Sequence, residues 1–457
     1  MPENPVKVVI VGGGPVGIIT AHALYHAGID FVVLESRADI SKDTGASLAV
    51  TPQNLRVFHQ LGLLDTLLAL GAPLVHHSEG FSSKRHKFRR STALSVFEEN
   101  HGSATLIFHR SQLVKALYDG LPKNAKNHFL FGKKVTHINV TSTGVEVSCV
   151  DGSVYPGSIV IGSDGAHSKT RSIMRRLALE ADPSFASTWD PEQPFTATYR
   201  CLWGSLDRTS DPGDSYETQG RDRSTVYLTG VNKSWIFLYE KLPRCSKTRL
   251  TYSAKEIQSF KASFADWPLN QKFRVRDVLE TSPNLVGMAN LEEGIAKNIS
   301  WNESIVLVGD AWHKFTPNSG LGFNNGIQDA VSLCNRLHAL SASSQLITPD
   351  GSLNAKTLQD AFDGYYLERA RPLQADYARS AQATRLSAWE TSNHYILARY
   401  ILPLERLQKF LINHTISPGI ASGLVLDYIP ATEAFSGKVP WDNPLRSERH
   451  QSKQSQY

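Results

Sequence analysis

A short apolar run, Lys7–Val11, breaks at once into Gly12-Gly13-Gly14, which predicts a buried parallel strand and a tight turn. Pro15–Ala27 opens on proline, carries apolar positions at helical spacing and is followed by Gly28, so it predicts a helix. Phe31–Glu35 predicts the next strand. Pro52–Leu61 and Leu63–Leu70 read as helices punctuated by Gly62 and Gly71. A strand at Leu106–Phe108 leads into a helix at Ser111–Tyr118. Val135–Val140, Gly144–Val150 and Tyr155–Ile161 are strand-like, with Asp151-Gly152 as a hairpin turn. From Pro183 to Val278 the character changes: Phe195–Leu202, Ser224–Leu228 and Ser234–Tyr239 predict strands of a separate sheet, and Phe260–Trp267 a helix. The earlier pattern returns at Ser304–Val308 and in a helix from Asn324 to Leu340, and Leu358–Ala388 is again helical. The predicted fold class is α/β: a discontinuous Rossmann-like domain (1–75, 105–182 and 290–345), an inserted, mainly antiparallel sheet forming a substrate domain (76–104 and 183–289), C-terminal helices (346–445) and a disordered polar tail (446–457).

A length of 457 residues exceeds what one hydrophobic core comfortably supports, which agrees with several units. The 41% hydrophobic and 20% charged content is that of a soluble globular enzyme. The net charge of +5 is not gathered into a stripe, which argues against nucleic acid as a partner. One basic cluster, Lys84-Arg85-His86-Lys87-Phe88-Arg89-Arg90, is expected as a solvated loop, with a docking site for phosphate or an anionic membrane as the sharper alternative. Cys149, Cys201, Cys245 and Cys334 are far apart and form no Cys-x-x-Cys pair, so neither a disulfide framework nor a metal site is expected, and a reducing cytoplasmic compartment fits. We read no signal peptide, and no window reaches the roughly 18 apolar residues of a membrane span. The nearest approach, Tyr395–Leu404 and Phe410–Tyr428, is interrupted by Arg399, Glu405, Arg406, Asn413, His414 and Pro418. Buried helix is the expectation there, with peripheral membrane contact as the alternative.

Gly12-x-Gly14-x-x-Gly17 lies between a predicted strand and a predicted helix. Such glycines permit the tight turn, the approach of a pyrophosphate and close helix–strand packing, and the helix N-terminus offers free amides to the phosphate. Glu35 ends the second strand, where a carboxylate grips ribose hydroxyls. Together they predict a dinucleotide site without separating FAD from NAD. Val306–Val308 runs into Gly309-Asp310, followed by Pro317 and by Gly320-Leu321-Gly322-Phe323 at the start of a helix. Asp310 is placed for a ribityl hydroxyl, and the helix start at Gly320 and Gly322 for negative charge on a reduced flavin. That pair favours FAD.

Gly12–Gly17 with Glu35, Gly162-Ser163-Asp164-Gly165-Ala166 with Arg171, and Gly309-Asp310 with Pro317 resemble the three fingerprints of single-component flavoprotein monooxygenases of the para-hydroxybenzoate hydroxylase type. The resemblance covers roughly residues 6–380. Trp312-His313-Lys314-Phe315 and Asn324-Asn325-Gly326-Ile327-Gln328 are closer to the fungal enzymes of meroterpenoid and indole-diterpene pathways, several of which epoxidise a prenyl olefin. The resemblance implies that Arg110 contacts FAD, that Thr44-Gly45-Ala46-Ser47 lies along it, and that Asp164 serves FAD and the reductant. It also implies that Arg200, with Tyr216 or Tyr227, reaches over the flavin from the inserted sheet as catalytic residues. The implied activity consumes NAD(P)H, with NADPH the favoured donor, and O2. A flavin C4a-hydroperoxide would epoxidise an olefin of a large apolar substrate, with aromatic hydroxylation as the rival. An NAD-linked dehydrogenase lacks a use for Asp310, Gly320 and Gly322, and a ligand-binding flavoprotein would be told apart by oxygen uptake.

Overall fold

Val8, Val9 and Ile10 are wholly buried because the strand Lys7–Val11 lies in the middle of a six-stranded sheet, parallel to Asp30–Leu34 on one side and to Ile159–Gly162 on the other. Ile305–Leu307 extends the parallel run beyond Ile159–Gly162, and Phe129–Leu130 extends it beyond Asp30–Leu34. Parallel strands covered on both faces must be apolar throughout, which is why these segments read as unbroken Val/Ile/Leu runs. The helices Pro15–His26 and Leu321–Ala342 pack against each other, and a Cβ on Gly326 would stand 2.6 Å from Val16. The computed structural model describes residues 6–40, 46–82, 87–141, 143–279, 286–348 and 353–447. The expected tail is described only at Arg446 and Ser447, and Lys84–His86 of the basic cluster lie outside the described residues.

A second sheet has eight strands in the order His313–Lys314, Val286–Ile295, Thr196–Asp207, Lys233–Ser246, Arg223–Thr229, Asp214–Gly220, His76–Phe81 and Arg89–Ser91. Its neighbours are antiparallel except Asp214–Gly220 and His76–Phe81, which run parallel. One face carries Leu202, Leu206, Tyr227, Ile236 and Leu238 and is covered by the helices Ala254–Phe264 and Val275–Leu279. The other face carries Cys201, Trp235, Phe237 and Tyr239 and meets Ile107.

Three expectations need correction. Tyr155–Ile161 is not one strand: Val154–Gly157 closes a three-stranded antiparallel sheet and Ile159–Gly162 joins the parallel one. Pro156 sits on the edge strand, where a missing amide is tolerated, and Ser158 Oγ accepts from the Lys7 amide at the crossing. The C-terminal segment is helix buried only in part: Ala398, Ile412, Ser417, Ile420 and Ala421 are buried, but no continuous helix spans it. It is a chain of short α and π turns, Ser392–Ile396, Leu397–Ile401, Glu405–Leu411, Ile412–Ile416 and Ser417–Ala421, with Tyr400 62% and Phe410 54% exposed. The basic cluster, expected as a loop, runs into an edge strand at Arg89–Ser91.

Candidate cofactor and substrate site

Gly12 has φ +104°, and a Cβ on Gly17 would stand 2.0 Å from the Gly12 carbonyl oxygen, so both positions demand glycine. A Cβ on Gly14 would meet nothing within 4 Å, which leaves open space in front of the helix Pro15–His26. That helix has neither a side-chain cap nor an acidic residue in its first turn, so its leading amides are available to an anion. Glu35 is 4% exposed and braces the loop itself: Oε2 accepts from the Gly13 amide at 2.7 Å, while Oε1 accepts from the Arg37 amide at 2.7 Å and from Arg37 Nε at 2.9 Å. Burial is the largest influence on this carboxyl and raises it, but the donors from Arg37 and Gly13 hold it below its usual value. Ser36 Oγ also donates to Oε1 at 3.3 Å, so it is Oε2, with one donor, that has capacity for a ribose hydroxyl.

The second fingerprint folds onto the first, since the Gly12 Cβ direction points at the Ser163 carbonyl and Asp164 Cα. Asp164 is also tied into the protein. Its carboxylate accepts from Ser168 Oγ and from the amide and hydroxyl of Thr170, and so caps the helix Lys169–Ala181. Arg171 donates to the carbonyls of Ala311 (2.6 Å) and Ala166 (2.7 Å), joining the second fingerprint to the third.

In the third, Asp310 pairs with Lys314, which the sequence reading did not foresee, and its Oδ1 would stand 3.8 Å from a Cβ on Gly322. Burial, the largest influence, raises the Asp310 carboxyl, but Lys314, His313 and Arg110 together keep it below its usual value. Pro317 opens a short 3-10 turn, and Gly320, with φ +64°, starts the helix Leu321–Ala342 without a side-chain cap or an acidic first turn. Phe323 is 8% exposed and packs into the main core rather than toward the opening.

Beside the first of these loops lies a cavity of about 200 Å³ lined by Pro15, Arg37, Ala46, Arg110 and Trp203 among others. The Arg110 guanidinium projects into it without a hydrogen-bond partner among the described residues. Burial pulls that group below its usual value, and the Asp310 charge opposes the shift. A large cation facing an open glycine loop, two helix starts with unclaimed amides and a carboxylate oxygen with spare acceptor capacity fit the pyrophosphate and ribityl chain of FAD. Gly45 lies outside the described residues; Ala46, next to it, lines the cavity.

The expected catalytic trio is not there. Arg200 lies on the far face of the eight-stranded sheet, bonded to Glu240, which also pairs with Arg223, and its guanidinium stands 5.0 Å from the centre of the Phe260 ring. Tyr216 and Tyr227 share that face: Tyr216 packs edge-on against Phe88, and the buried Tyr227 hydroxyl meets Thr209. Side chains alternate between faces along a strand, so Cys201 and Trp203 point toward the cofactor cavity while Arg200 and Leu202 point away. The histidines near the fingerprints are engaged with protein groups: His22 with the Leu117 carbonyl, His109 with Trp235 Nε1, and His313 with Asp329.

Sequence reasoning missed the brace behind Gly309-Asp310. Asp329, fully buried, accepts from the Gly309 amide at 3.0 Å, from His313 Nε2 at 2.6 Å and from Arg369 Nε at 2.9 Å. Asn324 does the same for Gly320 and the 49–54 segment: Oδ1 accepts from Thr51 and Asn54, and Nδ2 donates to the carbonyls of Ala49 and Gly320. The only hint was polar residues on an otherwise apolar helix.

A family model described as FAD binding domain matches residues 5–181 and 273–347. An FAD-dependent monooxygenase of Aspergillus fumigatus, spyC, is 33% identical over 451 residues, covering 95% of this chain and 90% of that protein. The FAD-dependent monooxygenase prhF of Penicillium brasilianum is 33% identical over 413 residues, covering 88% and 83%. Among solved structures, HpxO of Klebsiella pneumoniae complexed with FAD and uric acid superposes with a TM-score of 0.69 at 19% identity, covering 91% of this chain and 98% of that one. The tetracycline destructase Tet(51) gives a TM-score of 0.62 at 15% identity, covering 92% and 99%.

Proposed function

The chain belongs to the FAD-binding-domain family and is an FAD-dependent monooxygenase, and on that premise we propose that it uses NADPH and O2 to epoxidise an olefin in a large, apolar, meroterpenoid-like substrate. One observation carries the substrate class: Trp203 lines the cofactor cavity, and the partly buried Val226 and Leu228 continue its apolar surface over the buried Cys201, Trp235 and Phe237. Such a wall excludes water and holds an apolar chain by surface burial, roughly 25 cal/mol per Å². FAD, once reduced, activates O2 for transfer of one oxygen atom. Gly12–Gly17 and Arg110 would hold its phosphates, Asp310 its ribityl chain, and the uncapped helix start at Leu321 the negative charge of its reduced ring. Incubation with NADPH, labelled O2 and a panel of prenylated aromatics tests the reading. Label in an epoxide supports it; label on the aromatic ring would make the chain a hydroxylase instead.

The same proposal places the C-terminal turns against a membrane surface. Tyr395, Ile396, Tyr400, Leu404 and Phe410 are 37–62% exposed, and Arg399, Arg406 and Lys409 lie among them. Thr92 bonds Glu405, which brings the exposed Arg89 and Arg90 alongside. Apolar side chains with a cationic rim suit an anionic lipid interface. Among the described residues no helix is long and apolar enough to cross a membrane.

A further inference from the structure

The inner face of the eight-stranded sheet changes character along its width. Strand register puts Trp203, Phe237, Val226, Glu217 and Glu79 in one cross-strand row, and Trp235, Leu228, Ser215 and His77 in the next. The row thus begins at the cofactor cavity and ends in a polar cluster. His77 Nε2 lies 3.7 Å from Glu79 Oε1 and 3.9 Å from Glu217 Oε2, and its Nδ1 is 3.2 Å from Ser215 Oγ. Gln219 Nε2 donates to Glu217 Oε1 at 3.1 Å. The Ser387 side chain, from the end of the helix Ala355–Ser387, reaches Glu217 from above. His77, Glu79 and Glu217 are mostly covered but keep side-chain exposures of 24%, 16% and 15%, so the cluster is not sealed from the inner face.

A second observation lies beside this cluster. Ser224 neighbours this cluster on the next strand and the same face; it is fully buried, and its Oγ has no hydrogen-bond partner among the described residues. A buried hydroxyl left unpaired costs about 1–3 kcal/mol, so orphans of this kind mark places that a ligand or water satisfies. Burial, the largest influence, raises Glu217, and the neighbouring Glu79 charge adds to it; burial lowers His77, but Glu79 and Glu217 overcome that and raise it. With two carboxylates against one imidazole, the cluster has more acceptors than donors.

We infer that His77, Glu79, Glu217 and Ser224 hold the polar end of the substrate, taking a hydrogen bond from its hydroxyl or amine while its apolar body runs along Val226 and Phe237 to Trp203. From Glu217 to Trp203 is three strand spacings, ~14 Å, so the site selects an elongated molecule whose donor lies far from the carbon that is oxidised. A carboxylate at that end would meet like charge. The inference rests on the apolar-substrate reading above.

The test uses FAD-loaded enzyme and three probes: farnesol, farnesylamine and farnesyl methyl ether. Binding is read from the change each makes in the visible flavin spectrum. Farnesol and the amine should bind about tenfold more tightly than the ether, the equivalent of one good hydrogen bond. In the isosteric double variant Glu79→Gln/Glu217→Gln, at full flavin loading, the amine should lose its advantage and the alcohol most of it. Equal affinities of the three probes for the wild-type enzyme would overturn the inference and leave the apolar-substrate reading intact. No response to any probe would overturn both. A wild-type preference that persists in the double variant would assign the polar end to other residues and so refute this placement. The wild-type comparison stands even where the double variant fails to fold.

Discussion

Replacing Asp329 with alanine isolates the brace behind the flavin-side loop. The carboxylate is fully buried and holds three donors: the Gly309 amide, His313 Nε2 and Arg369 Nε. Removing it leaves the Arg369 guanidinium, itself 4% exposed, with Asn325 Oδ1 at 2.7 Å as its one remaining side-chain partner among the described residues. Stranding one partner of a buried ion pair costs about 3–5 kcal/mol, and an unpaired buried amide at Gly309 about 1–3 kcal/mol more. The terms share one neighbourhood and do not add fully. Part of the loss falls on the fold and part on FAD, because Gly309 leads directly into Asp310. If 3 kcal/mol fell on the cofactor, Kd would rise about 150-fold. The assay is FAD fluorescence quenching on titration of apoprotein, with thermal melts run with and without added FAD. Asp329→Asn keeps a carbonyl for Gly309 or Arg369 and should lose less on both readouts. Wild-type FAD affinity and melting in Asp329→Ala would refute the reasoning, since they would mean that neither the charge nor the loop depends on this contact.

Asp310→Ala should weaken FAD binding, whereas Arg110→Ala should barely change melting of the apoprotein, because the Arg110 guanidinium makes no hydrogen bond among the described residues and interacts with Asp310 only through charge; flavin titrations and apoprotein melts check the two. Arg200→Ala should lower thermal stability slightly, ~1 kcal/mol from a partly exposed pair, and leave the ratio of product to NADPH consumed unchanged; uncoupling at full flavin loading would return the residue to the catalytic site. His22 and His101 are lowered to about 4, chiefly by burial. An unfolded histidine titrates near 6.5, so between about 6.5 and 4 the unfolded chain takes up protons that the folded one refuses, and stability falls as pH falls through that window, by roughly 3 kcal/mol for His22. Melts at pH 7.5 and 5 check this, and a flat profile would contradict it. Tyr400→Ser with Phe410→Ser should reduce co-sedimentation with vesicles containing phosphatidylserine without altering FAD content; unchanged sedimentation would remove the membrane contact.

What lay open in the sequence was whatever neighbouring residues enforce on one another. Lys7–Val11, the glycine turn and Pro15–His26 were legible because an apolar run, a conformation only glycine adopts freely and a proline at a helix start are all local constraints. The same holds for Gly309-Asp310 and the left-handed Gly320, which together marked the flavin side of the site. The facing of the second sheet was not legible. Alternation along Thr196–Asp207 shows that Arg200 and Cys201 point in opposite directions, but either face of a sheet buried on both sides reads alike, and a register shift between Ala197 and Tyr199 offsets any count from the strand start. Only the tertiary structure, which lays helix Ala254–Phe264 over one face and sets Ile107 and the cofactor cavity against the other, turned Arg200, Tyr216 and Tyr227 away and Trp203, Glu217 and His77 inward. Asp329 was hidden for a related reason: its partners Gly309 and Arg369 lie 20 and 40 residues away, and the energy of a buried charge depends on which groups folding brings to it, not on its neighbours in the chain.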